Sequence, residues 1–115
     1  MFTATMWCDI QLGDVASLKA KRSVVRPIVA ELRRRYEVAA AEVGANDLYR
    51  RTEIGVAAVS STAGQVGEVL DACERFVAAR PDVVLLAVRR QLFAHTDDLT
   101  TDQTTPAREG DTSDG

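Results

Sequence analysis

Apolar and polar residues alternate strictly over residues 2–12, FTATMWCDIQL. The apolar set occupies the even positions: Phe2, Ala4, Met6, Cys8, Ile10 and Leu12. A period of two is typical of a β-strand with one face packed on a core and the other face open. Trp7 belongs to the odd positions, so we predict that it lies on the open face of a sheet.

Two later segments change to the 3.6-residue spacing of amphipathic helices. The first begins at a capping residue, Ser17, and runs to about Tyr36; its predicted apolar stripe is Leu18, Val25, Val29, Leu32 and Tyr36. Pro27 lies inside this helix, so we expect either a kink there or a helix whose regular part starts at Pro27. The second follows Thr62 and ends before Pro81, with an apolar stripe made of Val66, Val69, Leu70, Cys73, Phe76 and Val77.

Three further segments predict strands: YEVAAAEVG, TEIGVAAVSS and VVLLAVRRQLF, with a turn at GANDLY. The resulting order, βαββαβ, indicates an α+β, ferredoxin-like domain with a four-stranded antiparallel sheet and two helices on one face. We assign this domain to residues 1–94. Residues 95–115 are rich in Thr, Asp and Gly, and we predict that they form a disordered acidic tail.

Charge is distributed unevenly along the chain. The net charge is -3, but residues 95–115 hold six acidic side chains against Arg108 alone. Residues 1–94 hold 13 basic and 11 acidic side chains, and nine of those cations lie between positions 19 and 51. The positive charge of the predicted domain is therefore concentrated between positions 19 and 51.

The predicted topology brings the start of the first helix, the hairpin and the end of the second helix to one end of the domain. Six cations belong to that end: Lys19, Lys21, Arg22, Arg50, Arg51 and Arg80. A helical wheel also groups Lys19, Arg22, Arg26 and Arg33 into a basic stripe. Because a helix start already favours anions, this end and stripe predict an anion-binding surface. The alternatives are a solvated basic face and a surface for an acidic protein partner.

Two segments carry a family resemblance: SLKAKR at the first helix and AEVGANDLYRRTEIGVA across the hairpin. Over about residues 1–93 the chain resembles the YlxP-like family of small bacterial domains of unknown function. The resemblance implies a ferredoxin-like fold and, through genes that often neighbour ribosome-binding factor A and translation initiation factors, a role near RNA. The matching residues are Ser17, Leu18, Lys19, Lys21, Arg22, Glu42, Asp47, Leu48 and Arg51, and no catalytic role comes with them. Ala20 departs from the Glu that members often have, which leaves the first turn more basic.

Several classes of function are disfavoured by what the chain contains. Its longest apolar runs are much shorter than the roughly 20 residues of a membrane span, and its first residues do not resemble a secretory signal, so we expect a cytoplasmic protein without a membrane partner. His95 is the single histidine, and Cys8 and Cys73 fall on apolar faces. We therefore expect buried thiols, no metal, no cofactor and no enzymatic activity.

Two functional hypotheses follow. The first is a non-enzymatic accessory module that binds structured RNA or the ribosome through the basic end and stripe. The second is a homodimerising interaction module that uses the open sheet face around Trp7. Base stacking on Trp7 is a weaker interpretation, because the third strand offers no aromatic residue beside it.

Overall fold

The computed structural model describes residues 1–96. Its elements are β1 (Phe2–Leu12), α1 (Leu18–Tyr36), β2 (Ala39–Gly44), β3 (Arg51–Ser60), α2 (Ala63–Ala78) and β4 (Val83–Ala94). This order confirms the predicted βαββαβ arrangement. The predicted acidic tail lies, from residue 97 onward, outside the described residues. Within residues 1–96, neither helix has the length and apolar character needed to cross a bilayer.

The four strands form one antiparallel sheet in the order β2-β3-β1-β4. At its centre Trp7 is paired with Gly55 of β3 on one side and with Arg89 of β4 on the other. Both helices cover the same face, where the even residues of β1 from Ala4 to Leu12 are buried. The core beneath them includes fully buried Met6, Ile10, Ile28, Leu32, Ile54 and Leu70. The predicted two-layer architecture is therefore confirmed.

Helix α1 buries a different stripe from the one that the sequence predicted. Ser17 caps the helix as expected, its Oγ accepting from the backbone N–H of Ala20 at 3.0 Å. The helix then continues through Pro27, so its regular part does not start there. Its buried residues are Lys21, Val25, Ile28 and Leu32, whereas Leu18 and Val29 are only partly buried. Successive spacings of four, three and four residues place this set on one side of the helix.

The other face of the sheet is left open by residues 1–96, and Trp7 lies on it as predicted, partly exposed. A solvated face of an antiparallel sheet is normally polar. Here, however, the alternation of the strands and their register also place Val59, Val84 and Phe93 on this face, each of them exposed. The open face therefore carries more exposed apolar side chains than the solvated face of an antiparallel sheet usually does.

Candidate functional site

The three segments predicted to meet at one end of the domain do meet there. Arg50, which directly precedes β3, donates from Nε to the carbonyl of Val15 at 3.3 Å and lies 4.0 Å from Asp14. Gly13 of the same loop lies beside the backbone carbonyl of Asp82, which follows α2. The loop before α1, the start of β3 and the start of β4 therefore share this end.

Most cations of this end have partners within the protein. Arg51 lies on the open sheet face, where its guanidinium donates to both carboxylate oxygens of Asp9 at 2.7 and 2.8 Å. That hydrogen bond and the Asp9 charge raise the pKa of Arg51 above its ordinary value. Arg80 lies 3.4 Å from Asp82 and 5.9 Å above the ring of Phe76. The end of the domain is therefore not a continuous surface of free positive charge.

Lys21 requires a correction, because it does not belong to the exposed basic surface. The residue is 2% exposed, and its Nζ donates to the carbonyl of Ala45 at 2.7 Å and to Glu42 Oε2 at 2.9 Å. The Oγ1 of buried Thr52 donates to the same carboxylate oxygen at 2.6 Å. Lys21 thus ties the start of α1 to the end of β2, and an external anion cannot reach it.

Three of the four residues in the predicted basic stripe line one cleft between α1 and β2, which we call the arginine cleft. It measures about 510 Å³, and its walls carry Arg22, Arg26 and Arg33 on one side and Ala41 and Glu42 on the other. The Nε of Arg33 donates to the carbonyl of Ala40 at 2.9 Å, which holds that side chain against β2. Lys19 is exposed but lies outside the cleft lining.

Within residues 1–96, the surroundings of the arginine cleft do not neutralise its charge. Arg22 and Arg26 are both exposed, and within residues 1–96 neither of them forms an ion pair. Glu42, the one carboxylate that the described residues contribute to the lining, already accepts from Lys21 and Thr52. Two guanidinium groups therefore keep their donors free for a ligand.

Trp7 is held in place by two neighbours on the open face. Its Nε1 donates to Glu53 Oε1 at 2.9 Å, and the guanidinium of Arg89 lies 4.9 Å from the centre of the ring. Beside them is a groove of about 890 Å³, which we call the open-face groove. Its lining includes Thr5, Trp7, Ala39, Ala41, Gly55, Ala57, Arg89 and Gln91. The sequence predicted the position of Trp7 but not Glu53, since pairing across strands depends on register.

Replacing Gly44 by alanine is expected to lower the free energy of unfolding by about 1 kcal/mol, because the lost hydrogen bond and the crowding at Glu53 outweigh the conformational entropy that alanine removes from the unfolded chain. A Cβ at Gly44 would overlap the carboxylate of Glu53, which must swing away and release the Trp7 indole. Urea denaturation measures the loss. The emission of Trp7, the only tryptophan in the chain, reports the change around the ring.

The matched control for this prediction is Gly67→Ala in the middle of α2. A Cβ at Gly67 meets nothing within 4 Å, so the change should stabilise the helix by about 0.5–1 kcal/mol. Its Trp7 emission should equal that of the wild type. If Gly44→Ala leaves both stability and emission unchanged, the bond between Glu53 and Trp7 is not important in solution.

The two thiols are buried, as the sequence predicted. Burial, assisted by the nearby charge of Glu74, raises the pKa of Cys8 to about 11, and burial also raises the pKa of Cys73. At neutral pH both groups therefore remain protonated and poorly nucleophilic. Among residues 1–96, no three His, Cys, Asp or Glu side chains come together as ligands for a metal ion.

The chain matches known proteins along most of its length. Residues 3–90 match the model of a family described as a protein of unknown function, DUF503. A Bacillus subtilis (strain 168) protein named Uncharacterized protein YlxP is 31% identical over 86 residues, which cover 75% of this chain and 94% of that protein.

Among solved structures, the chain is similar to the solution NMR structure of a de novo designed protein with a ferredoxin fold. That similarity has a TM-score of 0.50 at 10% identity and covers 95% of this chain and all of the designed one. At this identity the likeness concerns the fold alone, and it agrees with the predicted architecture. The family match and the YlxP relative show that the chain belongs to the DUF503, or YlxP-like, family of unknown function.

Proposed function

We propose that this protein is a non-enzymatic binding module that holds the sugar-phosphate backbone of structured RNA, free or in the ribosome, in the arginine cleft. The observation that carries this proposal is the convergence of Arg22, Arg26 and Arg33 in one cleft, with no ion pair formed by the first two within residues 1–96. Guanidinium groups bind phosphate oxygens through paired N–H donors. The cleft therefore offers the donors that a phosphate backbone needs.

The length of the cleft favours a polyanion over a single small anion. Arg22 and Arg33 are eleven residues apart on α1, which corresponds to about 16 Å along a helix axis. Arg26 lies between them, one turn from Arg22. A row of charges of this length contacts several phosphates in succession and not one isolated group.

The lining of the cleft suits recognition of structured RNA through its backbone. Double-stranded RNA is recognised mainly through its shape, its phosphates and its 2′-hydroxyl groups. The cleft matches such a ligand because the part of the chain that the structure describes lines it with arginines and with no aromatic side chain for reading bases. The genomic setting that the resemblance to the YlxP-like family implies agrees with an RNA partner.

The double variant Arg22→Ala/Arg26→Ala tests this function. Wild-type protein should bind a structured RNA hairpin at about 50 mM salt and bind it much more weakly at about 200 mM, because each neutralised phosphate releases counterions. The double variant should bind about tenfold more weakly at low salt. The slope of its log affinity against log salt concentration should be smaller in magnitude by about one to two. Fluorescence anisotropy with labelled RNA measures both quantities.

Arg34→Ala is the matched control. Arg34 lies on the same helix and is exposed, but both of its hydrogen bonds at 2.7 Å go to Glu31, and it does not line the cleft. Its replacement should leave RNA affinity within about twofold of the wild type, as surface changes away from a site usually do. RNA binding that is absent at low salt, or that is lowered equally by the control and the double variant, contradicts the proposal.

A further inference from the structure

The open face of the sheet is built in two halves of different height around the open-face groove. On β1 and β4 the side chains are long: Trp7, Arg89 and Gln91, with Thr5 beside them. On β2 and β3 the residues opposite them are small: Ala39, Ala41, Gly55 and Ala57. The register puts each long residue in one row with the small ones, Trp7 beside Gly55 and Gln91 in the row of Ala57. The half on β1 and β4 is raised and the half on β2 and β3 is hollow, apart from the exposed side chain of Val43, which packs beside Gly55.

We infer that the open-face groove is a homodimer interface, in which the raised half of each copy fills the hollow half of the other. A two-fold axis that runs parallel to the strands, between β1 and β3, exchanges the two halves. It places Trp7 over the partner's Gly55, against the partner's Val43 beside it, and Arg89 over the partner's Ala41. Because the same patch serves both copies, the contact closes on itself and stops at two.

The charge of this face favours a second copy over a nucleic acid. Its charged side chains are Asp9 and Glu53 against Arg51 and Arg89, so the face is electrically neutral, unlike the arginine cleft. Asp9 and Arg51 already neutralise each other within one copy. Two such faces approach without net repulsion, and Arg89 enters the partner's hollow half near Glu53.

The size of the face is sufficient for a specific contact. Four strands about 4.8 Å apart and about nine residues long present roughly 500 Å² of flat sheet. Side chains increase the accessible area above the flat area, towards the roughly 600–800 Å² per partner of specific interfaces. Aligned packing of two sheets is a common arrangement in proteins. The exposed apolar side chains Val59 and Phe93 extend the same face and are covered in part by the contact.

Sedimentation equilibrium of the full chain and of Ala57→Arg tests the interface. Ala57 is exposed and lines the open-face groove but not the arginine cleft, so a long charged side chain there should fill the hollow half. We expect the wild type to dimerise at micromolar concentrations, with Trp7 emission shifting to shorter wavelength as the dimer forms. Ala57→Arg should raise the dissociation constant at least tenfold.

Ala78→Arg supplies the same substitution at an exposed alanine of α2, away from the sheet, and should dimerise like the wild type. A wild type that remains monomeric at about 100 μM, a concentration at which even weak pairs associate, overturns the inference. A dimer that persists in folded Ala57→Arg, as judged by circular dichroism, overturns the assignment to this face. RNA affinity is measured separately in the same variant, so failure of the dimer leaves the RNA proposal intact.

Discussion

Replacing Lys21 by methionine is expected to lower the free energy of unfolding by about 2–4 kcal/mol, because it removes one partner of a buried ion pair. The change leaves the Glu42 carboxylate, whose side chain is only 25% exposed, with a single hydrogen bond from Thr52. It also leaves the carbonyl of Ala45 without the donor that reaches it at 2.7 Å. Urea denaturation, with the slope checked for two-state behaviour, measures the loss.

Lys19→Met separates this effect from the general loss of a positive charge. Lys19 lies two residues earlier on the same helix and is exposed, so its replacement should change stability by no more than about 0.5 kcal/mol. Lys21→Met/Glu42→Gln should recover part of the loss, because it removes the unpaired charge. A loss below about 1 kcal/mol in Lys21→Met would show that the ion pair is not important for stability.

The contacts of Lys21 give a structural meaning to the residues that carry the family resemblance. Ser17 and Lys21 belong to SLKAKR, and Glu42 belongs to AEVGANDLYRR. In the structure Ser17 caps α1, while Lys21 and Glu42 join the helix start to the end of β2. These two matched segments therefore share one function in the fold, which is to fix α1 against the edge of the sheet beside the arginine cleft.

The order and type of the elements could be predicted because each one has its own local signal. The alternation along β1, the cap at Ser17 and the apolar stripe of α2 each depend on residues close together in sequence. Positive φ in the hairpin shows the limit of such signals. Gly and Asn are the residues that usually adopt it in turns, but Ala45 carries it here, with φ 57°, and its carbonyl accepts from Lys21.

The sequence could not predict which cations are paired within the protein, because their partners lie far along the chain. Lys21 meets Glu42 and Ala45, and Arg51 meets Asp9, 42 residues away. Lys21 precedes Val25 by four residues, so helical spacing by itself places Lys21 on the buried side. Hydrophobicity alone places Val29 in the apolar stripe instead, because lysine is rarely a fully buried residue.

Raising the pH from 9 to 11 is expected to destabilise this protein partly through Cys8, whose thiol is fully buried. Burial raises its pKa from 9.0 to about 11. Below pH 9 the thiol is protonated in both states and its contribution to stability is complete. Between pH 9 and pH 11 the unfolded chain loses the proton while the folded chain keeps it, so the free energy of unfolding decreases. The loss that this one thiol produces is about 2–3 kcal/mol.

Comparison with Cys8→Ala isolates this contribution, because the two proteins share every other ionisable group. The variant is less stable at neutral pH, since it leaves a small cavity among buried neighbours. Its free energy of unfolding should nevertheless decrease less steeply than that of the wild type between pH 9 and pH 11, by about 2–3 kcal/mol over the range. Parallel curves for the two proteins would show that the Cys8 thiol has the same pKa in the folded and unfolded chains. The two helices would then not bury this face of β1 in solution.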